Sequence, residues 1–206
     1  KSFIPSEQIP EYQDISFKFN FPMKKGGEIS FWGIGGNDKN SEPVTDDSTT
    51  WTYNWDRVQY DLTTNIGVVG LKYKKIIGNS AYIHSSIVAS TNNFSMDLKR
   101  MNDNLVLQDS FDINNTTSKF TFSTFINKKF SKKHTNRTGL VLNNIYYNAR
   151  TKGRYQGEMI DYSNSNGSSY LLQAYTQSKY DISPRLLANI GMHAQYFLLN
   201  NEYSFE

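Results

Sequence analysis

The chain has 206 residues, of which 37% are hydrophobic, 20% charged and 15% aromatic, and its formal net charge is +3. This charge is too small to indicate nucleic acid as a partner, and no apolar run approaches the roughly 20 residues that a membrane helix requires. The absence of cysteine excludes a disulfide framework and a thiolate metal site.

Period-two alternation of apolar and polar residues dominates the chain and predicts β-strands. In chain order we predict about eight strands, near residues 14–22, 27–37, 57–75, 80–97, 116–131, 136–150, 168–181 and 185–200. Several exceed the usual globular strand of about five or six residues. They are long enough for the roughly 9–11 residues that a tilted strand needs to cross a bilayer.

The third predicted strand has one of the long alternations. Its apolar residues, which we expect on one lipid-facing side, are Val58, Leu62, Ile66 and Val68. The polar residues Gln59, Asp61 and Asn65 are then expected on the opposite side, because successive strand residues point to opposite faces.

The predicted connections alternate between short and long. Short ones lie at 22–26, 77–80, 131–135 and 182–184, and long polar ones cover 38–56, 98–115 and 151–167. Short turns on one side and long loops on the other are typical of outer-membrane barrels. The short turns are rich in lysine, whereas the first long loop is acidic and aromatic.

That first long loop contains the candidate ligand site, made of Trp51, Tyr53, Trp55, Asp46 and Asp47. The three aromatic residues alternate, so a strand would place their rings on one face, where they suit sugars and other amphipathic ligands. The alternative is an aromatic girdle at a membrane interface. No catalytic residue, metal site or cofactor is predicted, because the histidines lack partners at metal-ligand spacing and the glycine run at 33–36 precedes no helix.

Several stretches resemble the barrel of TonB-dependent outer-membrane receptors, particularly those with a carboxypeptidase-regulatory-like domain before the plug. They read PEYQDISFKFNFP (10–22), GEISFWGIGG (27–36), NRTGL (136–140), KYDISPRL (179–186) and AQYFLLNNEYS (194–204). The resemblance implies an antiparallel up-and-down transmembrane barrel of about 22 strands with a plugged lumen. Residues 1–206 would be one segment of that barrel domain, without the plug.

The resemblance also implies a function, which is transport rather than catalysis. A receptor in the bacterial outer membrane would import a scarce nutrient, such as an iron chelate, cobalamin, a glycan or a peptide. Its partners would be outer-membrane lipid, the nutrient, the inner-membrane TonB energy complex and a surface lipoprotein.

Two other architectures also fit the alternation. One is a self-contained eight-stranded barrel, and the other is a soluble β-sandwich that binds carbohydrate. The apolar positions discriminate between a membrane barrel and a sandwich, because the barrel exposes its apolar face and the sandwich buries it.

Overall fold

A computed structural model describes residues 11–24, 26–44 and 47–205. The strands are β1 (Glu11–Met23), β2 (Gly27–Glu42), β3 (Val58–Ile77), β4 (Ala81–Met101), β5 (Leu107–Ser131), β6 (His134–Tyr155), β7 (Glu158–Ser183), β8 (Leu186–Phe197) and β9 (Glu202–Phe205). Each strand pairs antiparallel with the next, which gives one up-and-down sheet in the order β1 to β9. The predicted all-β antiparallel fold is confirmed. Within the described residues the sheet is open, because β1 and β9 do not pair.

The strands continue far beyond their predicted ends. β5 has 25 residues and β7 has 26, and together with β4 and β6 they absorb most of the long loops predicted at 98–115 and 151–167. The prediction of those two loops is therefore wrong. Polar side chains on both faces of these segments hide the alternation in the sequence, while the backbone groups still pair. At the second one a two-residue turn remains, with φ of 50° at Gln156 and 91° at Gly157, as type I′ hairpins require.

One face of the sheet exposes large apolar side chains across all nine strands. Strand pairing aligns them in a single row, which we call the apolar row: Phe19, Phe31, Leu71, Ile87, Phe122, Leu142, Leu172, Tyr196 and Tyr203. Their side chains are between 37% and 74% exposed. The side of the sheet that carries this row is the apolar face.

The opposite, polar face carries cross-strand hydrogen bonds between side chains. The Ser86 and Ser123 hydroxyl oxygens are 2.7 Å apart, and the Thr121 hydroxyl donates to Asn143 Oδ1 over 2.8 Å. Cross-strand pairs of this kind stabilise a sheet and help to define its register.

A row of amides, interrupted by one threonine, crosses the apolar face, six positions from the apolar row toward the end of the sheet that carries the β2–β3 loop. This amide row consists of Gln13, Asn37, Asn65, Asn93, Thr116, Asn148 and Asn166. Asn37 Nδ2 donates to Asn65 Oδ1 over 2.6 Å, and Asn93 Nδ2 donates to Thr116 Oγ1 over 2.9 Å. The amide row therefore marks where the apolar face ends.

Near and beyond the amide row, the apolar side chains of the middle strands change sides. Leu62, Met96 and Ile113 pair with one another on the polar face. The prediction that Val58, Leu62, Ile66 and Val68 share one face, opposite Gln59, Asp61 and Asn65, is confirmed. The face they share is the polar one, because Val69 and Leu71 occupy the apolar face. β3 contains two alternations of opposite phase, and the longer one dominates its sequence.

The structure also contains two short 3-10 turns, both between β2 and β3. No helix among the described residues is long and apolar enough to cross a bilayer.

Close packing around Gly139 leaves no room for a side chain, so a substitution at this position should destabilise the fold. A methyl group there would lie 2.8 Å from the Thr124 carbonyl oxygen and 2.7 Å from the Tyr175 hydroxyl. We expect Gly139→Ala to lower the free energy of unfolding by about 1–3 kcal/mol, as overpacking does. Thermal unfolding of the folded protein in detergent, followed by circular dichroism, measures the effect.

Gly67→Ala is the matched control, because its methyl group would meet only Thr91 Cγ2 at 3.6 Å. It should leave the unfolding temperature unchanged or raise it slightly, since alanine loses less backbone freedom than glycine. Equal melting temperatures for both variants would contradict the packing described around Gly139.

Candidate functional site

The longest connection between described strands joins Glu42 at the end of β2 to Val58 at the start of β3. It contains the two 3-10 turns, Ser48–Thr50 and Asn54–Arg57. Asp46, which was predicted from the sequence to belong to the ligand site, lies outside the described residues. The other four predicted site residues lie within this loop or at its turns.

Asp47 caps the first turn. Its Oδ1 accepts hydrogen bonds from the Thr49 hydroxyl over 2.6 Å and from the Thr49 backbone N–H over 3.0 Å. These two hydrogen bonds, the hydroxyl first, hold the pKa of the Asp47 carboxyl below its usual value. Asp47 therefore stabilises the local loop conformation.

Asp56 organises the second turn in a similar way. Its Oδ2 accepts from the backbone N–H of Tyr53 over 2.7 Å and from that of Thr52 over 2.6 Å. The Tyr53 and Thr52 hydrogen bonds lower the pKa of Asp56, because they favour the ionised carboxylate. The charge on Asp56 thus orders the segment that carries Tyr53 and Trp55.

Arg57 ties the loop to the neighbouring β4–β5 turn. Its Nη1 lies 2.8 Å from Asp103 Oδ1, while its guanidinium carbon lies 5.0 Å from the centre of the Trp51 ring. From the end of β4, Arg100 Nη2 also donates to Asn54 Oδ1 over 3.3 Å. The loop is therefore braced from the adjacent hairpin by two arginine contacts.

The three aromatic residues do not form the strand that would align their rings, because Trp55 belongs to the second 3-10 turn. Trp51 is partly buried beneath Arg57. Tyr53 and Trp55 are 74% and 58% exposed, and the Trp55 ring centre lies 6.4 Å from that of Tyr60. Trp51 is thus less exposed than the other two rings.

A cavity of about 390 Å³ opens in this loop and brings Tyr53 and Trp55 together with residues that the sequence did not single out. Its lining consists of Glu42, Pro43, Thr50, Thr52, Tyr53, Trp55, Asp56 and Val58. Small-molecule sites usually have volumes of about 300–1,000 Å³. Glu42 was not recognisable from the sequence, because it reaches the cavity through the pairing of β2 with β3.

A larger depression of about 660 Å³ lies on the apolar face, where Gly35 and Gly67 leave room between Phe17 and Phe120. Most of its walls are side chains and backbone of the same exposed face. Because ligand sites combine apolar walls with a few converging polar groups, the loop cavity is the better candidate site.

Comparison of the sequence with models of known protein families gives no match, and comparison with curated protein sequences gives none either. The resemblance to TonB-dependent receptors therefore stays a prediction.

Protonation of Asp56 should disorder the second turn. Because the folded-state pKa is lowered, its stabilising contribution is present above the unfolded value of 3.8 and disappears as pH falls through the lower folded-state pKa. Asp56→Asn should produce the same loosening at neutral pH. Hydrogen exchange at the Thr52 and Tyr53 amides measures both effects.

Asp181→Asn is the matched control, because Asp181 pairs with Lys179 near the β7–β8 turn, at the opposite end of the sheet, and should leave the protection of these amides unchanged. If Asp56→Asn leaves the protection of the Thr52 and Tyr53 amides unchanged, the carboxylate charge does not order the turn.

Proposed function

We propose that this chain is part of a bacterial outer-membrane β-barrel that imports a scarce nutrient, as TonB-dependent receptors do. The apolar row carries the proposal, because nine consecutive strands expose a large apolar side chain at the same register position. Soluble proteins rarely expose contiguous apolar surfaces larger than a few hundred Å². Outer-membrane lipid is the partner that would cover such a surface.

The stagger of the short turns supports a barrel. The strands end at Met23, Ile77, Ser131 and Ser183, successively farther from the apolar row. The step is roughly one residue per strand. If the turns all end at one level, and with ~3.3 Å per residue along a strand and ~4.8 Å between strands, this step corresponds to a strand tilt of about 35–40°. Membrane barrels have tilts of about 35–45°.

The amide row supports the same orientation. An amide that faced hydrocarbon would be costly, so this row and the charged positions beyond it belong at or above the lipid headgroups. The β2–β3 loop lies on that side, and we place it outside the cell, where a ligand first arrives.

The alternatives fit less well. A soluble sandwich needs a second layer over the apolar face, and none is present among residues 11–24, 26–44 and 47–205. A self-contained barrel needs β1 to pair with β9, and within the described residues these two strands are not paired. Because unpaired edges promote aggregation, a larger barrel that pairs both edges is the better proposal. The TonB energy complex and a surface lipoprotein enter as partners through the family resemblance alone.

Spin labels at neighbouring residues of β4 test the membrane placement. A label at Ile87, in the apolar row, should be accessible to oxygen and protected from a water-soluble nickel chelate. A label at Ser86, on the polar face, should show the reverse order. The pair Phe122 and Ser123 on β5 repeats the test in the adjacent strand. Equal accessibility at both residues of each pair would contradict a lipid-facing apolar row.

Replacing Tyr53 and Trp55 together by alanine should reduce nutrient uptake while the receptor still assembles, because both exposed rings line the cavity. Uptake is measured at matched receptor levels in the outer membrane. Tyr155→Ala is the control, since this residue is also 58% exposed but lies at the end of β6, next to the β6–β7 turn. Full uptake by the double variant would show that these two rings do not take part in ligand capture.

A further inference from the structure

The cavity between β2 and β3 combines carboxylates with aromatic rings, and from this combination we propose that it binds the ammonium group of an organic cation. The inference rests on the proposed function and names the chemical class of ligand for the same site. It is carried by charge, by hydrogen-bonding capacity and by the exposure of the rings.

The charge of the lining is negative. Glu42 and Asp56 both line the cavity and are partly buried, and the described lining includes no lysine, arginine or histidine. The hydrogen bonds that lower the pKa of Asp56 keep this carboxylate ionised at neutral pH. Two carboxylates at one cavity attract a cation and repel an anion.

The nearest arginines do not neutralise these carboxylates. The Arg57 guanidinium lies against the Trp51 ring and pairs with Asp103. Arg100 donates to Asn54 Oδ1. Neither arginine lines this cavity, and both line a different one, next to the β4–β5 turn.

The lining is also richer in acceptors than in donors. The backbone N–H groups of Thr52 and Tyr53 are both taken by Asp56. The side chains of Thr50, Thr52 and Tyr53 contribute hydroxyl groups, and the carboxylates can only accept. A cation requires no donor from the lining, so an organic ammonium ion matches this lining better than a neutral ligand whose oxygens require donors.

The aromatic residues complete the complementarity. Tyr53 and Trp55 line the cavity and are 74% and 58% exposed, whereas Val58, an apolar part of the lining that we call the floor, is 6% exposed. A cation is attracted to the face of an aromatic ring, most strongly to tryptophan, and aromatic cages bind quaternary ammonium groups in this way. The apolar floor suits the methyl or methylene groups next to the nitrogen.

Choline and its uncharged carbon analogue 3,3-dimethylbutan-1-ol test the proposal, because they share shape and differ in charge. Each is titrated into the full-length folded receptor in detergent, and binding is followed by calorimetry. We expect saturable binding of choline and binding of the analogue that is weaker by about tenfold or more, the scale of one charge-assisted contact. Glu42→Gln and Trp55→Leu should each weaken choline binding by about tenfold.

Glu158→Gln is the control, because it removes a carboxylate from the start of β7, next to the β6–β7 turn, and should leave choline binding unchanged. Equal affinity for choline and the analogue, or choline binding that survives both cavity variants, would overturn the proposal. Preferential binding of a neutral sugar or an anion at this cavity would overturn it too. The spin-label test is independent, so failure here would leave the membrane placement standing.

Discussion

Backbone pairing across nine strands is the constraint on which the rest of the molecule depends. Successive residues of a strand point to opposite faces, so the pairing of Leu71 with Phe31 and Ile87 decides the side of every other residue in β3. A slip of one residue would carry Leu71 to the polar face and Lys72 into the apolar row. The same register places Glu42 opposite Tyr60 and so closes the loop that holds the cavity.

The amide row divides the sheet into two zones. Between this row and the short turns, most of the exposed large apolar side chains point to one side, although Ile34 and Ile66 point to the other. Near and beyond it, Leu62, Met96 and Ile113 point to the other. In the proposed barrel this inversion has a simple physical meaning, because the outer surface changes from contact with hydrocarbon to contact with headgroups and water. The apolar groups of the upper zone then face the lumen, where they can pack against whatever fills it.

The candidate site depends on this rigid sheet but is built by local interactions. Asp47 and Asp56 each satisfy backbone N–H groups of a short turn, and the ion pair of Arg57 with Asp103 braces the loop against the next hairpin. These contacts leave Tyr53 and Trp55 free to stay exposed. A loop held in this way orders its rings before a ligand arrives, which lowers the entropy lost on binding.

The sequence by itself determined the strand class and the antiparallel hairpin order, because alternation and short turns are local signals. It did not determine the phase of β3 or the length of the hairpins, since Val58 to Val68 follow one alternation and Val69 to Tyr73 the opposite one. Nor did it identify Glu42 and Asp56 as neighbours of Trp55 in one cavity. Only the tertiary structure decided these features, because register is set by pairing between residues that are distant in the chain.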